Sequence, residues 1–171
     1  MDEFHDLPEE RRGVSSRYGL RLLEPGEFRE YLPGLLARYE EVCGGELYGY
    51  TPASWVRLQA DVMLILDEAG RFLGFVSFED HGGFGVPHAD AREVPAQARA
   101  LVGRRIFEYA AGLHPEWLRI EARIPIGLLG VARLVEDIGM YRVGRIPHGC
   151  WYKDGPVDTL LYAISTEELL T

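Results

Sequence analysis

The chain has 171 residues with 47% hydrophobic and 26% charged content, the size and composition of one globular domain with a sizeable core. Its formal net charge of -9, from 27 acidic against 18 basic residues, argues against general binding to nucleic-acid phosphates. No run of about 18 apolar residues occurs and the first residues are acidic and polar, so we expect no membrane span, no secretory signal and a cytoplasmic location.

The chain divides into two predicted parts. Residues 1–17 contain few apolar positions among many charges, which predicts an arm that does not fold alone. Residues 18–171 are predicted to form a single domain. Its two cysteines, Cys43 and Cys150, lie far apart and form no C-x-x-C pair, so neither a disulfide framework nor a structural zinc site is expected.

The first part of the domain is predicted to contain one strand and two helices. Residues 18–23 are short and apolar and end at turn chemistry, which predicts a strand. Apolar residues recur at helical spacing over 27–42, which predicts an amphipathic helix. Within 51–58, Thr51 followed by Pro52 suggests the start of a short second helix.

A β-hairpin is the clearest local signal. Two apolar runs, at 61–68 and 72–80, flank a short turn that contains Gly70. A third short strand is predicted at 84–86 and is interrupted by Pro87, which limits how far this strand can pair centrally.

The second half of the domain is predicted to alternate helices and strands. Pro95 opens a long helix that runs to Gly112, and 118–125 alternates apolar and charged residues as a strand does. Gly139 closes another helix over 128–138. Strands at 140–146 and 158–164 follow, joined by a loop at 147–156. The order indicates an α+β domain with a mixed sheet of six or seven strands flanked by helices.

This order resembles the GCN5-related N-acetyltransferase (GNAT) family over most of residues 18–165. Residues 131–145 resemble the family's late helix, its glycine turn and the strand that follows. Residues 100–110 resemble the helix that binds acyl-coenzyme A, and 84–86 resembles the strand before it. In the family, this strand and the one at 118–124 splay apart to admit the pantetheine arm. A more diffuse similarity, over 84–113 and the late helix, is to GNAT-like internal virion proteins of short-tailed phages.

The resemblance implies a coenzyme site at the long helix, because amides at a helix N-terminus bind anions and glycines permit close approach. The family pattern is Q/R-x-x-G-x-G/A. With Gly103 as its final glycine, Ala98 and Leu101 occupy the other two pattern positions, so one of three is retained. Arginines near this site could bind phosphate or could be solvated surface cations. The residues expected to contact acetyl-coenzyme A are Val86, Arg99, Val102, Gly103 and Arg104.

The resemblance also frames the candidates for catalysis. Glu79, Asp80 and His81 end the hairpin where a general base could act, although a solvated turn explains them as well. Tyr152 is the candidate acid, ahead of Tyr141, which could equally be a packing residue.

Two positions depart from the family pattern. Leu128 and Val135 stand where the family often has an Asn and a proton-donating Tyr, and both suit the apolar face of the late helix. A metal site built from His81, His88 and Asp90 is not expected, because the spacing matches no dedicated site.

Two functions follow as expectations. The first is acetyl-coenzyme A-dependent N-acyl transfer to a small amine or peptide amine by direct attack, in a cytoplasmic protein that could form a homo-oligomer. The alternative is a catalytically inert GNAT-like module that binds protein partners, such as other components of a phage virion or prophage. The retained fold favours the first function, and the eroded glycine pattern favours the second.

Overall fold

The structure is a computed structural model that describes residues 18–22, 34, 37, 59–152 and 155–171. The predicted arm at 1–17 and the predicted helix at 51–58 lie outside these residues. So does most of the predicted helix at 27–42, in which Gly34 and Ala37 are described as helical and exposed.

Seven strands form one mixed sheet in the order β1-β2-β3-β4-β5-β7-β6. The strands are β1 (Tyr18–Leu22), β2 (Gln59–Asp67), β3 (Phe72–Asp80), β4 (Phe84–Asp90), β5 (Arg119–Pro125), β6 (Tyr141–Tyr152) and β7 (Gly155–Ser165). Within residues 59–152 and 155–171 the helices are α1 (Ala96–Leu113), α2 (Leu129–Ile138) and α3 (Thr166–Leu170). All neighbouring strands are antiparallel except β4 and β5, which run parallel. The predicted α+β class with a mixed sheet is confirmed.

The β2–β3 hairpin forms where the sequence predicts it. Gly70 takes a φ of 77° in the turn, a conformation that glycine adopts without strain. Asp67 accepts hydrogen bonds from the amides of Ala69, at 3.0 Å, and Arg71, at 2.8 Å. The carboxylate thereby supplies partners for turn amides that the ladder leaves out.

Strand β4 is longer than predicted and continues through Pro87 to Asp90. The amide of His81 donates to the carbonyl of Phe84 at 3.0 Å, and β3 and β4 then stay in register without a shift. Because backbone groups alternate in direction along a strand, even-numbered β4 residues face β3 and odd-numbered ones face β5. The N–H that Pro87 lacks would point toward β5, and β4 and β5 no longer pair at this level. Its absence therefore breaks no hydrogen bond between strands, and β4 continues.

The predicted loop at 147–156 is largely strand. Strands β6 and β7 pair as far as Tyr152 and Gly155, with an irregularity between Ile146 and Cys150. Within it His148 adopts a φ of 50° and its amide donates to Asp158 Oδ1 at 2.9 Å. The bulge accommodates the proline and glycine of this segment, which allows the hairpin to continue.

Helices α1 and α2 lie over one face of the sheet and enclose the main core. Val102, Ile106 and Phe107 of α1 are buried there together with Val135 and Ile138 of α2. Leu128 packs against the same cluster, so the predicted apolar roles of Leu128 and Val135 are confirmed. Gly139 ends α2 in the left-handed conformation, with a φ of 110°, as the sequence predicts.

Helix α3 is absent from the sequence prediction although its signal is present. Ser165 caps it by accepting from the amide of Glu168 at 3.1 Å, and the Glu168 carboxylate accepts in return from the Ser165 amide at 3.2 Å. This reciprocal arrangement is the capping box that Ser and Glu form three residues apart. None of the helices in the described ranges has the length and apolar composition needed to span a bilayer.

Candidate functional site

Strands β4 and β5 part after two residues of pairing. Phe84 pairs with Arg119 and Gly85 with Ile120, and no further partners join the two strands. Beyond that point β4 pairs only with β3, and β5 only with β7. The centre of the sheet therefore holds a wedge that is closed at Gly85 and open toward Asp90 and Pro125.

A cavity of about 170 Å³ occupies the wedge beneath α1 and α2. Its walls come from Pro87 and Ala89 of β4, Ala122 and Ile124 of β5, and apolar side chains of both helices. Among the described lining residues, Arg99 and Arg123 are the ones with polar side chains. The cavity is therefore lined largely by apolar groups.

The two strands present unpaired backbone groups to this wedge. On β4 these belong to Pro87, which offers a carbonyl alone, and to Ala89, which offers both an N–H and a carbonyl. On β5 the amide of Ile126 donates to Asp158 on the β7 side at 2.9 Å, so the backbone of Arg123 faces β4. Such edges in the middle of a sheet require polar partners, which water or the polar groups of a ligand can supply.

Helix α1 begins at Ala96, and Pro95 is its N-cap. Gly103 is therefore two turns inside the helix, beyond the amides that open it. The first-turn amide of Ala98 donates to Pro95 at 2.8 Å, which leaves the amides of Ala96 and Gln97 at the helix start. A Cβ on Gly103 would lie 2.5 Å from Cδ1 of Ile138, so this glycine allows α1 to approach α2. The helix thus opens at Pro95, as the sequence predicts.

The predicted coenzyme residues are partly brought together. Arg99, Val102 and Gly103 all line the cavity. Arg99 also donates to the carbonyls of Val94 and Arg92, both at 2.8 Å, and so fastens the loop before α1. Arg104 points elsewhere, because it donates to Glu108 at 2.7 Å and to the Glu168 carbonyl of α3 at 2.7 Å. Val86 is buried on the other face of the sheet, since the alternating Pro87 and Ala89 face the cavity.

Glu79 lies between two histidines on the sheet face opposite α1. Its Oε1 is 3.1 Å from Nε2 of His88, and its Oε2 is 3.2 Å from Nε2 of His81. The interaction with His88 lowers the pKa of Glu79 below its ordinary value, and that with His81 adds to it, against the opposing effect of burial. Glu79 and His81, both predicted as candidate bases, are thus in one cluster beside the closed end of the wedge.

The Asp80 carboxylate holds the β3–β4 turn in place through two hydrogen bonds. Its Oδ1 accepts from the amide of Gly82 at 2.8 Å and from the indole N–H of Trp117 at 3.0 Å. The hydrogen bond from Gly82 is the main cause that lowers the pKa of Asp80, followed by that from Trp117. These bonds hold the β3–β4 turn against Trp117, and they point the carboxylate away from the cluster around Glu79.

The two tyrosines are not brought to this cluster. Tyr152 pairs with Gly155, whereas Ile120, level with the closed end of the wedge, pairs with Ile164. Nine residues of β7, about 30 Å of extended chain, separate the two levels. The expectation that Tyr152 serves the same centre as Glu79 therefore conflicts with the register. Tyr141 is exposed and donates to Glu168 at α3, which raises its pKa.

His88 is the residue whose placement sequence reasoning missed. It follows Pro87 on the strand that walls the wedge, and it shares a face with Val86 and Asp90. Strict alternation from Val86 could have indicated this, had β4 been predicted to continue through the proline. Within the described ranges no group of three or more His, Cys, Asp or Glu side chains is arranged to hold a metal ion.

Comparison with known proteins gives a structural match and no sequence match. No protein-family model and no curated protein matches the sequence. The spermidine N-acetyltransferase from Vibrio cholerae, solved in complex with CoA and spermine, matches at a TM-score of 0.72 and 13% identity, over 91% of this chain and 99% of that one. The same bacterium's spermidine/spermine N-acetyltransferase with manganese ions (TM-score 0.67, 15% identity) covers 92% of this chain and 97% of its own.

A third structure, the dodecameric V. cholerae enzyme in an intermediate state, matches at a TM-score of 0.67 with 15% identity, over 91% of this chain and 98% of that one. At these identities the likeness concerns the fold. The chain has the GNAT fold, as the sequence resemblance implied.

Proposed function

We propose that this protein is an acyl-coenzyme A-dependent N-acyltransferase that uses acetyl-coenzyme A and acylates a primary amine on a small molecule or peptide. The observation that carries the proposal is the wedge between β4 and β5 with unpaired backbone on both walls and an apolar cavity beneath it. Fold likeness alone would not be sufficient, because one fold hosts many functions.

The residues present fit a pantetheine arm. That arm is long, narrow and largely apolar, and it carries amide groups that can pair with the free backbone of Ala89 and Arg123. Pro87 offers a carbonyl but no N–H, so β4 can accept from an amide there but cannot donate to one. Acyl-coenzyme A would supply the activated acyl group as a thioester.

The chain's own residues supply binding and proton transfer. The apolar walls around Val102 and Ile106 exclude water from the bound arm. Arg99 lies at the cavity and keeps further N–H groups beyond the two that fasten the preceding loop, so we assign it to a coenzyme phosphate. The cluster around Glu79 lies at the closed end of the wedge, where an amine entering from the opposite sheet face would lose a proton.

Calorimetric titration with acetyl-coenzyme A tests the proposal. Ala89 lines the wedge and is itself exposed, so Ala89→Trp should block the site without disturbing the core. Ala69→Trp, in the exposed β2–β3 turn, is the matched control. We expect binding by the wild type and the control, and a loss of about tenfold or more in affinity for Ala89→Trp.

Turnover is measured next as thiol release against a panel of amines. Spermidine belongs in this panel because similarly folded enzymes carry it in their names, together with a peptide that has a free N-terminus. Absence of both heat and thermal stabilisation at millimolar coenzyme would rule out the proposal.

A second candidate function is a catalytically inert module that binds protein partners. It is favoured by the start of α1, where Pro95 lacks an N–H and two N–H groups of Arg99 are spent on carbonyls of the preceding loop, so fewer donors remain there for phosphate. Under this candidate we expect virion or prophage partners, and under the first a cytoplasmic enzyme that self-associates. Coenzyme binding without turnover, together with defined complexes with other proteins, would support the module.

A further inference from the structure

The cavity in the wedge has two chemically different ends. At its outer end, where β4 is followed by the start of α1, it is lined by Arg99, and at its inner end it is lined by Phe107. Eight residue steps of helix separate these two side chains, which is about 12 Å along the axis of α1. On the strands, the innermost of the described lining residues are Pro87 and Ala122. The cavity therefore ends before the closed pair of β4 and β5 is reached.

An aromatic ring forms the inner wall of the cavity. Phe107 is buried, and its ring meets that of Phe78 edge to face, with centroids 6.0 Å apart and planes inclined at 68°. The ring of Phe78 lies in turn 5.8 Å from that of Trp117. Phe78 and Trp117 are buried behind Phe107 and do not line the cavity. Phe107 is therefore the ring that a group at the inner end would touch.

The rings behind Phe107 hold it in place. Trp117 donates to Asp80 at 3.0 Å and stacks on His114 with centroids 4.0 Å apart. Its indole also fills the space above Gly85. Because a core packed at this density accepts extra volume only with strain, Phe107 cannot easily withdraw to lengthen the cavity.

The difference between the two ends determines how an acyl-coenzyme A would lie in the cavity. Its phosphates need N–H donors, which Arg99 and the first amides of α1 offer at the outer end. The acyl group is at the opposite end of the pantetheine arm and would then lie toward Phe107.

We propose that Phe107 limits the length of the acyl group and restricts the protein to short acyl groups such as acetyl. The inference rests on the proposed function and identifies a specificity-determining residue of that same site. An acyl chain that extends past Pro87 would meet Phe107 and, behind it, the two rings that back it. In an apolar pocket one methylene too many changes kcat/KM about 10- to 200-fold. Hexanoyl-coenzyme A should therefore be a much poorer ligand and substrate than acetyl-coenzyme A.

Calorimetric titration without an amine tests the inference and needs no turnover. We expect the wild type to bind acetyl-coenzyme A at least about tenfold more tightly than hexanoyl-coenzyme A. Phe107→Ala should reverse this order, because the space of the ring becomes available to the longer chain. Since Phe→Ala in a core is costly to stability, Phe107→Leu is measured beside it and should reduce the preference in the same direction.

Phe75→Leu is the matched control. Phe75 is also fully buried, but it precedes Val76, which lines the cavity, and so it faces the other side of the sheet. This variant should keep the preference of the wild type for acetyl-coenzyme A.

Turnover with the best amine of the panel gives the second readout. The ratio of kcat/KM for hexanoyl- over acetyl-coenzyme A should rise about tenfold or more in Phe107→Ala. Equal affinity of the wild type for the two coenzymes would overturn the inference, as would Phe107 variants that bind acetyl-coenzyme A and keep the wild-type ratio. A wild type that binds neither coenzyme would instead defeat the proposed function.

Discussion

Gly85 and Trp117 are in direct contact at the closed end of the wedge: a Cβ on Gly85 would lie 2.4 Å from Cζ3 of the indole. Trp117 is buried and donates from its indole nitrogen to Asp80, so it cannot move aside easily. Gly85 also forms the last paired position between β4 and β5. The absence of a side chain at Gly85 therefore lets the indole seal the point from which the two strands diverge.

Gly85→Ala should destabilise the fold by about 1–3 kcal/mol, the range for overpacking of a rigid site. Gly83→Ala is a matched control two residues away, because a Cβ there would meet nothing within 4 Å and its φ is not positive. Urea unfolding of both variants measures the difference. Equal stabilities would show that the indole can shift and that the contact does not fix the wedge.

Gly103 lies against Ile138, and we expect its substitution by alanine to change stability little. Gly103→Ala gains about 0.5–1 kcal/mol of helix propensity, but its Cβ would lie 2.5 Å from Cδ1 of Ile138. The gain and the clash should nearly cancel. Ile138→Val removes Cδ1 and with it the clash. We therefore expect the free energy of unfolding of the double variant to be about 0.5–1 kcal/mol higher than the sum of the two single effects predicts.

Gly112→Ala is the control for this double-mutant cycle of Gly103 and Ile138. It lies in the same helix, and a Cβ at this position would meet nothing within 4 Å, so Gly112→Ala should show the full propensity gain. Additive stabilities for Gly103→Ala and Ile138→Val would contradict the packing role of Gly103.

The sequence predicted the regular parts of this fold well because their signals are local. Alternating apolar residues and Gly70 define the β2–β3 hairpin without reference to the rest of the chain. The continuation of β4 through Pro87 was missed for a nonlocal reason. Whether a missing N–H ends a strand depends on which neighbour it faces, and that neighbour, β5, lies about 30 residues away in the chain.

The site was harder to predict than the fold for the same reason. The cluster at Glu79 was found because its members are adjacent in sequence, whereas His88 joins it only through cross-strand register. Tyr152 was misplaced because a Pro- and Gly-containing segment was interpreted as a loop, while a bulge near His148 carries the hairpin far past the wedge.

Asp80 should matter for stability more than for catalysis. Asp80→Asn keeps an oxygen acceptor, whereas Asp80→Ala leaves the buried indole N–H of Trp117 without its partner, at a cost of about 1–3 kcal/mol. Chemical unfolding and steady-state kinetics of both variants separate the two roles. A large loss of kcat in Asp80→Asn at unchanged stability would make Asp80 a candidate base again.

Tyr152→Phe tests the register argument. Tyr152 lies about 30 Å of strand away from the level of the closed wedge, so removal of its hydroxyl should leave kcat and its pH dependence within about twofold of wild type. A loss of the alkaline limb in this variant would mean that Tyr152 donates a proton after all, and that the acceptor reaches the wedge from its open end.

We expect His114 to make the stability of the fold depend on pH. It caps the end of α1, stacks on Trp117 with ring centroids 4.0 Å apart, and contacts Asp61 and Glu116. Burial alone would lower the pKa of His114, but the hydrogen bonds with the two carboxylates outweigh burial and raise it above 6.5. The protonated ring is therefore favoured in the folded state, and its stabilising contribution is present in full below the unfolded pKa.

That contribution should be lost as the pH rises through the raised pKa of the folded state. Urea unfolding of wild type and His114→Gln at about pH 5.5 and 8.5, on either side of the ordinary histidine pKa, measures it as a difference that is larger at the lower pH. Asp61→Asn should reduce stability in the same direction, because it removes one of the partners that raise the pKa. A difference between wild type and His114→Gln that grows with pH would mean that burial dominates and that the ring is held neutral at the end of α1.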